Sequence, residues 1–217
     1  MAAGASLRLT EIFLSLQGES NTVGLPTVFV RLTGCPLRCG YCDSAYAFSG
    51  GSQVALSDIL AQVQSYKVPR VTVTGGEPLA QPEVHELMSG LCELGMSVSL
   101  ETSGALDITA VDSRVTKVVD LKTPDSGESH RNLWANIQRL SGQDQIKFVL
   151  CSRSDYEWAK LKCDQHKLYD VVADVLFSPS FSQLDPTELA NWIVEDRLPV
   201  RMQMQLHKLL WGDEPGR

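Results

Sequence analysis

The sequence predicts an α/β fold, an incomplete β/α barrel of about six parallel strands with a reduced helical layer. Three observations predict it. Short apolar, strand-like runs alternate with helix-period segments along the chain. The connection from Thr102 to Lys117 is too short for a long helix. The unusual residues follow strand ends, which is where ligands gather in parallel sheets. A full eight-stranded barrel takes roughly 250 residues, so the 217 here suit one smaller domain, 1–217.

In chain order, Val28 to Leu32 is a compact apolar run and reads as a strand. Ser57 to Tyr66 reads as a helix, with Ser57 as N-cap and Ile59, Leu60 and Val63 on one face. Val71 to Thr74 is β-branched and breaks at Gly75-Gly76. Pro82 to Leu94 is helical, with Pro82 in the first turn and Gly95 at the C-cap. Ser97 to Glu101 and Lys117 to Leu121 are strands, ending at Thr102-Ser103-Gly104 and Lys122-Thr123-Pro124. Arg131 to Leu140 reads as a short helix, Gln145 to Leu150 as a strand and Ser154 to Lys162 as a helix. Val171 to Phe177 is strand-like, Pro186 to Glu195 helical, and Val200 to Leu206 closes the series.

No apolar run approaches the roughly 18 residues that span a bilayer. Met1 to Arg8 lacks the apolar core of a secretory signal, so a cytoplasmic location is expected. The net charge of −7 argues against a general affinity for nucleic acid. Of six cysteines, three crowd into positions 35 to 42, while Cys92 and Cys151 read as small core residues.

The crowded segment is Gly34-Cys35-Pro36-Leu37-Arg38-Cys39-Gly40-Tyr41-Cys42-Asp43, a C-x3-C-x2-C spacing on a loop after a strand. A tight loop turns three thiolates toward one centre. A structural zinc site or an electron-transfer cluster needs a fourth ligand, and none lies nearby in sequence. Three ligands leave one iron of a 4Fe-4S cube open to a cofactor or substrate. A zinc site completed from a distance, or three chance thiols, are the alternatives.

This spacing, with an aromatic residue before the last cysteine, resembles the signature of the radical S-adenosylmethionine (SAM) superfamily. The resemblance implies a 4Fe-4S cluster on Cys35, Cys39 and Cys42, with SAM on the open iron. One-electron cleavage of SAM then gives a 5′-deoxyadenosyl radical, which abstracts hydrogen. Gly75, Gly76 and Glu77, followed by Pro78, resemble the superfamily's GGEP motif at the SAM ammonium. Gly104 resembles the small residue on which SAM packs. Lys122, with Thr123 and Pro124, is placed to meet the SAM carboxylate; the alternative for Lys122 is a solvated surface lysine. Lys147 sits mid-strand, where a lysine needs an exposed edge or a partner.

The runs Glu11 to Ser20 and Gly24 to Leu32, the cysteine loop, and Asp43-Ser44-Ala45-Tyr46 together resemble the 7-carboxy-7-deazaguanine synthase family. The likeness resumes at Gln205-Leu206-His207-Lys208. That family converts 6-carboxy-5,6,7,8-tetrahydropterin to 7-carboxy-7-deazaguanine with loss of ammonia, a step toward queuosine and other deazapurines. The resemblance implies that Leu16, Gln17 and Gly18 line the pterin, with Glu19 nearby. Arg31 would contact the pterin or its carboxylate, Thr102 would hydrogen-bond the substrate, and His207 would approach the substrate carboxylate. Tyr41, Cys42 and Asp43 would pack on the adenosyl part of SAM. For Arg31 and His207 the bland alternatives are a surface arginine and a structural histidine.

The resemblance also implies Mg²⁺, held by a hydroxyl two residues after the last cysteine. That residue is Ser44, where the family usually has threonine; serine keeps the oxygen and loses the restricted rotamer. Ser20 stands where glycine is common. The chain runs past His207 to Arg217, so contacts made by terminal carboxylates of shorter relatives do not carry over. Hydrogen abstraction at C6 of the pterin, ring contraction and return of hydrogen from 5′-deoxyadenosine complete the implied chemistry. A flavodoxin- or ferredoxin-type reductant and a homodimer are the implied partners. A glycyl-radical-enzyme activase and a non-catalytic zinc or iron–sulfur binding module are the rival readings.

Overall fold

The computed structural model describes residues 4–181, 183–212, 214 and 216. Two antiparallel strands that no apolar run announces, β1 (Ser6–Leu16) and β3 (Ser52–Ala55), begin the sheet. β2 (Pro26–Leu32) pairs antiparallel with β1 and parallel with β4 (Arg70–Gly75). The parallel run continues through β5 (Ser97–Thr102), β6 (Thr116–Asp120), β7 (Gln145–Leu150), β8 (Asp174–Pro179) and the two-residue β9 (Arg201–Met202). The order is β3-β1-β2-β4-β5-β6-β7-β8-β9, and the two end strands do not pair. Six full-length parallel strands in an open sheet make the partial barrel that the alternating pattern predicts.

The parallel strands place apolar residues outward, under helices, and polar ones inward. α1 (Leu56–Ser65) and α2 (Val84–Glu93) cover the first half and bury Ile59, Val63, Leu87 and Met88 against Val28, Val30, Val71 and Val73. α3 (Arg153–His166), α4 (Leu168–Val171) and α5 (Pro186–Asp196) cover the second half around Phe148, Tyr156 and Phe177. Each fully buried side chain of this size contributes about 1.5–3 kcal/mol. Between β5 and β6 no helix forms among the described residues; Ile108, Val111 and Val115 plug the core from a loop. α6 (Leu206–Trp211) ends the described fold. No helix among the described residues is long and apolar enough to cross a membrane.

Several element expectations need correction. α1 begins at Leu56 behind Ala55, and Ser57 does not cap it. β3 pairs through Ala55, and the Leu56 N–H donates to the Ala5 carbonyl, so the strand runs straight into the helix. Arg131 to Leu140 forms two short 3₁₀ turns, at Ser129–Arg131 and Trp134–Arg139, instead of one helix. Its asparagines are the reason: Asn132 brackets the Lys122 backbone, and Asn136 bonds Gly104, Leu106 and Ile108, so each amide holds a loop. β8 starts at Asp174 because its partner starts opposite, at Gln145, which leaves Val171 to α4 and Val172 to the core. The last expected strand shrinks to Arg201–Met202, and Leu206 enters α6, because Gln203 and Leu206 turn the chain back onto the first half. Gly95, with φ +76°, follows the C-cap of α2, which is Leu94.

Candidate functional site

A cavity of about 660 Å³ opens at the carboxyl ends of the parallel strands. Cys35, Cys39 and Cys42 line one wall and are all free and half-buried. The glycine pair after β4 makes their position possible. The Gly76 N–H donates to the Leu32 carbonyl and the Glu77 N–H to the Gly34 carbonyl, so the end of β4 crosses directly beneath the cysteine loop. A methyl on Gly75 would strike the Leu32 backbone, and one on Gly76 would strike Gly34 and the Cys35 side chain. Glu77 is fully buried behind this crossing rather than facing the cavity. Its carboxylate accepts from Leu79, Thr102 and Ser103, locking the β4 and β5 ends together.

The donor set fits an iron–sulfur cube. Burial pushes the Cys39 thiol up to about 11 and raises Cys35 and Cys42, although Lys122 pulls each down. Metal ligation is what would keep such thiols ionised. Among the described residues no three His, Cys, Asp or Glu side chains close on a single ion. Ligands of a cube need not do so, since each takes a separate iron.

Lys122 is buried. Its Nζ donates to Asp120 Oδ2 at 2.8 Å and sits 5.5 Å from the Tyr41 ring centre, so it is no solvated surface lysine. Burial opposes its charge, but Asp120 and the neighbouring cysteines raise its pKa. Tyr41 lines the cavity, and its buried hydroxyl finds no protein partner. Gly104, Thr123 and Pro124 stand back from the cavity. Gly104 takes φ +71° and packs on Val119, while the Thr123 hydroxyl is spent on Val149 and Asp155.

The opposite wall begins at the end of β1. Leu16, Gln17, Gly18 and Glu19 all line it. Gln17 is almost wholly committed: its backbone pairs with Leu25 and Gly24, and its amide donates to Thr72 and Glu101 and accepts from the Glu19 N–H. Gly18 is glycine because a methyl there would collide with the His207 ring. Ser20 takes φ +66°, a left-handed backbone that glycine adopts more readily than serine. Arg31 projects from β2; Nε donates to Glu11 Oε1 at 2.7 Å, and the rings of Phe13 and Tyr46 lie within 6 Å. Thr102 lines the cavity, but its hydroxyl proton goes to Glu77, so toward a ligand it can only accept.

Four residues outside the predicted set complete the site. Lys147, on β7, lies 2.6 Å from Glu19 Oε2 and 3.7 Å from Asp120 Oδ2. These two carboxylates and Glu101 hold its ammonium charged against burial. Its mid-strand position called for a partner or an exposed edge; the inward periodicity of β7 decides for the partner. Glu101 lies in the barrel interior, where burial raises its pKa and Lys147 opposes the rise. Asp120 is the third. Gln205 arrives from the C-terminal segment beside His207 and Lys208. Ser44 sits at the rim, donating to Asp43 Oδ1 at 2.9 Å and lying 3.4 Å from an Arg31 nitrogen. Arg217, at the end of the expected C-terminal tail, lies outside the described residues.

A family model for the Radical SAM superfamily matches residues 29–121. The 7-carboxy-7-deazaguanine synthase of Koribacter versatilis is 43% identical, covering 96% of this chain and 98% of the relative. That of Chlorobaculum tepidum is 42% identical, covering 99% and 98%. The crystal structure of QueE from Escherichia coli superposes with a TM-score of 0.74 at 23% identity, over 93% of this chain and 95% of that one, which establishes the shared fold. With identity of this level over nearly the whole length, the chain belongs to the 7-carboxy-7-deazaguanine synthase family of radical SAM enzymes.

Proposed function

We propose that this protein converts 6-carboxy-5,6,7,8-tetrahydropterin to 7-carboxy-7-deazaguanine with loss of ammonia. One observation carries the reading: a single cavity is lined by the three cysteines on one side and by Gly18, Glu19, Arg31 and His207 on the other. A glycyl-radical activase needs an open groove and has no use for that second wall.

The cluster and SAM, when bound, supply the hydrogen-abstracting radical. The chain's own residues bind, orient and shield. Cys35, Cys39 and Cys42 hold the cube. Tyr41, Asp43, Gly75, Gly76 and Lys122 flank the SAM position, Lys122 offering its ammonium to the SAM carboxylate. Gly104, Glu77, Thr123 and Pro124 support that wall from behind. Arg31, its Nε fixed by Glu11, presents its outer nitrogens to the substrate carboxylate. Glu19, braced by Lys147, faces the pterin's ring nitrogens, and Thr102 accepts from the substrate. Gln17 shapes the wall. His207, kept neutral by burial despite Glu19 and Asp43, closes the cavity from α6. Ser44 would offer an oxygen to Mg²⁺, which would help orient the substrate carboxylate. Electrons come from a flavodoxin- or ferredoxin-type protein, and the working unit is a homodimer.

The test is anaerobic turnover of the carboxy-tetrahydropterin with SAM, dithionite and Mg²⁺, followed by mass spectrometry. The deazaguanine acid should appear, and deuterium from C6 of labelled substrate should be found in recovered SAM. SAM cleavage with no conversion of the pterin would overturn the substrate assignment.

A further inference from the structure

One side chain joins the two walls of the cavity. Gln205 Nε2 lies 2.9 Å from Glu19 Oε1 and 2.9 Å from Asp43 Oδ2. A primary amide carries two protons on nitrogen, and both are spent here, one on each carboxylate. The flipped amide would set its carbonyl oxygen against two anionic oxygens, so the orientation is dictated by charge. The segment that carries Gln205 is pinned on both sides. The Ser20 N–H donates to Gln203 Oε1 at 2.6 Å, and the Leu206 N–H donates to the Gly18 carbonyl at 3.0 Å.

Asp43 is the second half of the argument. Its Oδ1 accepts the Ser44 hydroxyl proton at 2.9 Å. A serine oxygen whose proton is committed elsewhere accepts with both lone pairs; an Arg31 nitrogen takes one at 3.4 Å, which leaves the other for a divalent cation. Asp43 Oδ2 accepts from Gln205 Nε2 at 2.9 Å, so the carboxylate that holds the Ser44 proton is itself held in place.

We propose that Gln205 is a positioning residue whose single NH₂ group fixes the substrate-side Glu19 and, through Asp43, turns the Ser44 oxygen toward the cavity as a cation ligand. The inference rests on the reading of Ser44 as a Mg²⁺ ligand. Outer-shell partners of metal ligands typically contribute about 10- to 100-fold in affinity. The family likeness includes Gln205 but gives it no role, because both of its partners lie more than 160 residues away.

The test uses Mn²⁺ as the probe cation in cluster-loaded, unreduced enzyme with SAM and the pterin present, so that no turnover occurs. Loss of the free-ion electron paramagnetic resonance signal reports binding. Gln205→Met keeps the bulk and removes both donors. Its Mn²⁺ dissociation constant should rise about tenfold or more, the KM for pterin should rise with it, and iron content and SAM binding should hold. Gln205→Asn keeps the amide but reaches only one carboxylate, and should lose part of the affinity; it serves if the methionine variant does not load its cluster. Asp43→Asn should weaken Mn²⁺ comparably, and the double variant should be little worse than either single one. Wild-type Mn²⁺ affinity in both Gln205 variants, or strictly additive losses in the double variant, would overturn the proposal. Absence of substrate-dependent Mn²⁺ binding in the unaltered enzyme would instead remove the Ser44 reading, and the inference with it.

Discussion

The two halves of the sheet build the site by different means. From β1 to β5 the chain supplies the thiols, a close backbone crossing and the side chains of Glu19 and Arg31: glycines cross under the cysteine loop, and Glu77 ties strand ends that lie side by side. From β6 onward it contributes charged and amide side chains that reach back across the barrel. Lys147 meets Glu19 over 128 residues, Gln203 meets Ser20 over 183, and Gln205 meets Glu19 over 186. In the proposed reading the first half supplies the cluster loop and the residues that face the substrate, and the second half holds those residues in place. If that division is right, changes in the two halves should separate cluster loading from substrate binding.

The largest expected effect lies in the first half. Cys39→Ala should lose both the cluster and turnover, read as iron content and as product by mass spectrometry. Retention of a full cluster would break the comparison at its root. Next is Lys147→Met, which strands Glu19 beside an uncharged side chain while Asp120 keeps Lys122. Breaking a buried pair from one side costs about 3–5 kcal/mol, so urea denaturation should show a loss of that order. Cluster loading at low temperature should persist, and pterin binding should fail. A variant that lost iron and kept substrate affinity would reverse the roles of the two halves.

These two sites also mark how far sequence reasoning reaches. The cysteines and the Gly-Gly turn are legible because their constraint is local: three thiolates on one loop, and two backbones too close for a methyl. The parallel strands are legible because each is an apolar run of ordinary length. β1 is not, because only Leu7 along it is fully buried and its faces are shared between barrel interior and solvent. The 3₁₀ turns around Trp134 read as a helix because nothing local shows that Asn132 and Asn136 bond distant backbone. Lys147 shows a lysine in need of a partner, but the partner is named only by the register of β7 beside β6 and by the loop after β1. Gly104 and Glu77 are placed by motif beside a cofactor; in the fold neither lines the cavity, Gly104 packing on Val119 and Glu77 bonding Thr102 and Ser103. Ser20 departs from the expected glycine at a left-handed backbone, and its N–H is held by Gln203.

A smaller effect is expected where the halves touch. Gly18→Ala would push against the His207 ring and displace α6. The collision is with one side chain, which can move aside, so a cost of about 1–3 kcal/mol is expected. It should be felt chiefly as a raised KM for pterin with unchanged iron content. An unchanged KM would show that α6 is not part of the substrate wall, and would confine the second half's contribution to Lys147 and Gln205.

The smallest effect is the pH dependence of that same contact. Burial holds the His207 imidazole below its ordinary value of 6.5; Lys208 and Arg31 act in the same direction, while Glu19 and Asp43 oppose it. A docked histidine with a lowered pKa binds fewer protons than a released one between that lowered value and 6.5, so docking is favoured at higher pH. The contribution is fully present above 6.5 and weakens as pH falls below it. Asp43, itself held below its ordinary 3.8, does not titrate in this window. Hydrogen exchange of residues 203 to 212, corrected for intrinsic rates, should therefore be faster at pH 5.5 than at pH 7.5. Exchange in β2 and β4 should not change, and His207→Asn should flatten the difference. Equal protection at both pH values in the unaltered protein would mean that α6 is held by Gln203 and Gln205 alone. The second half would then grip the first through uncharged amides, and the histidine would only fill space over Gly18.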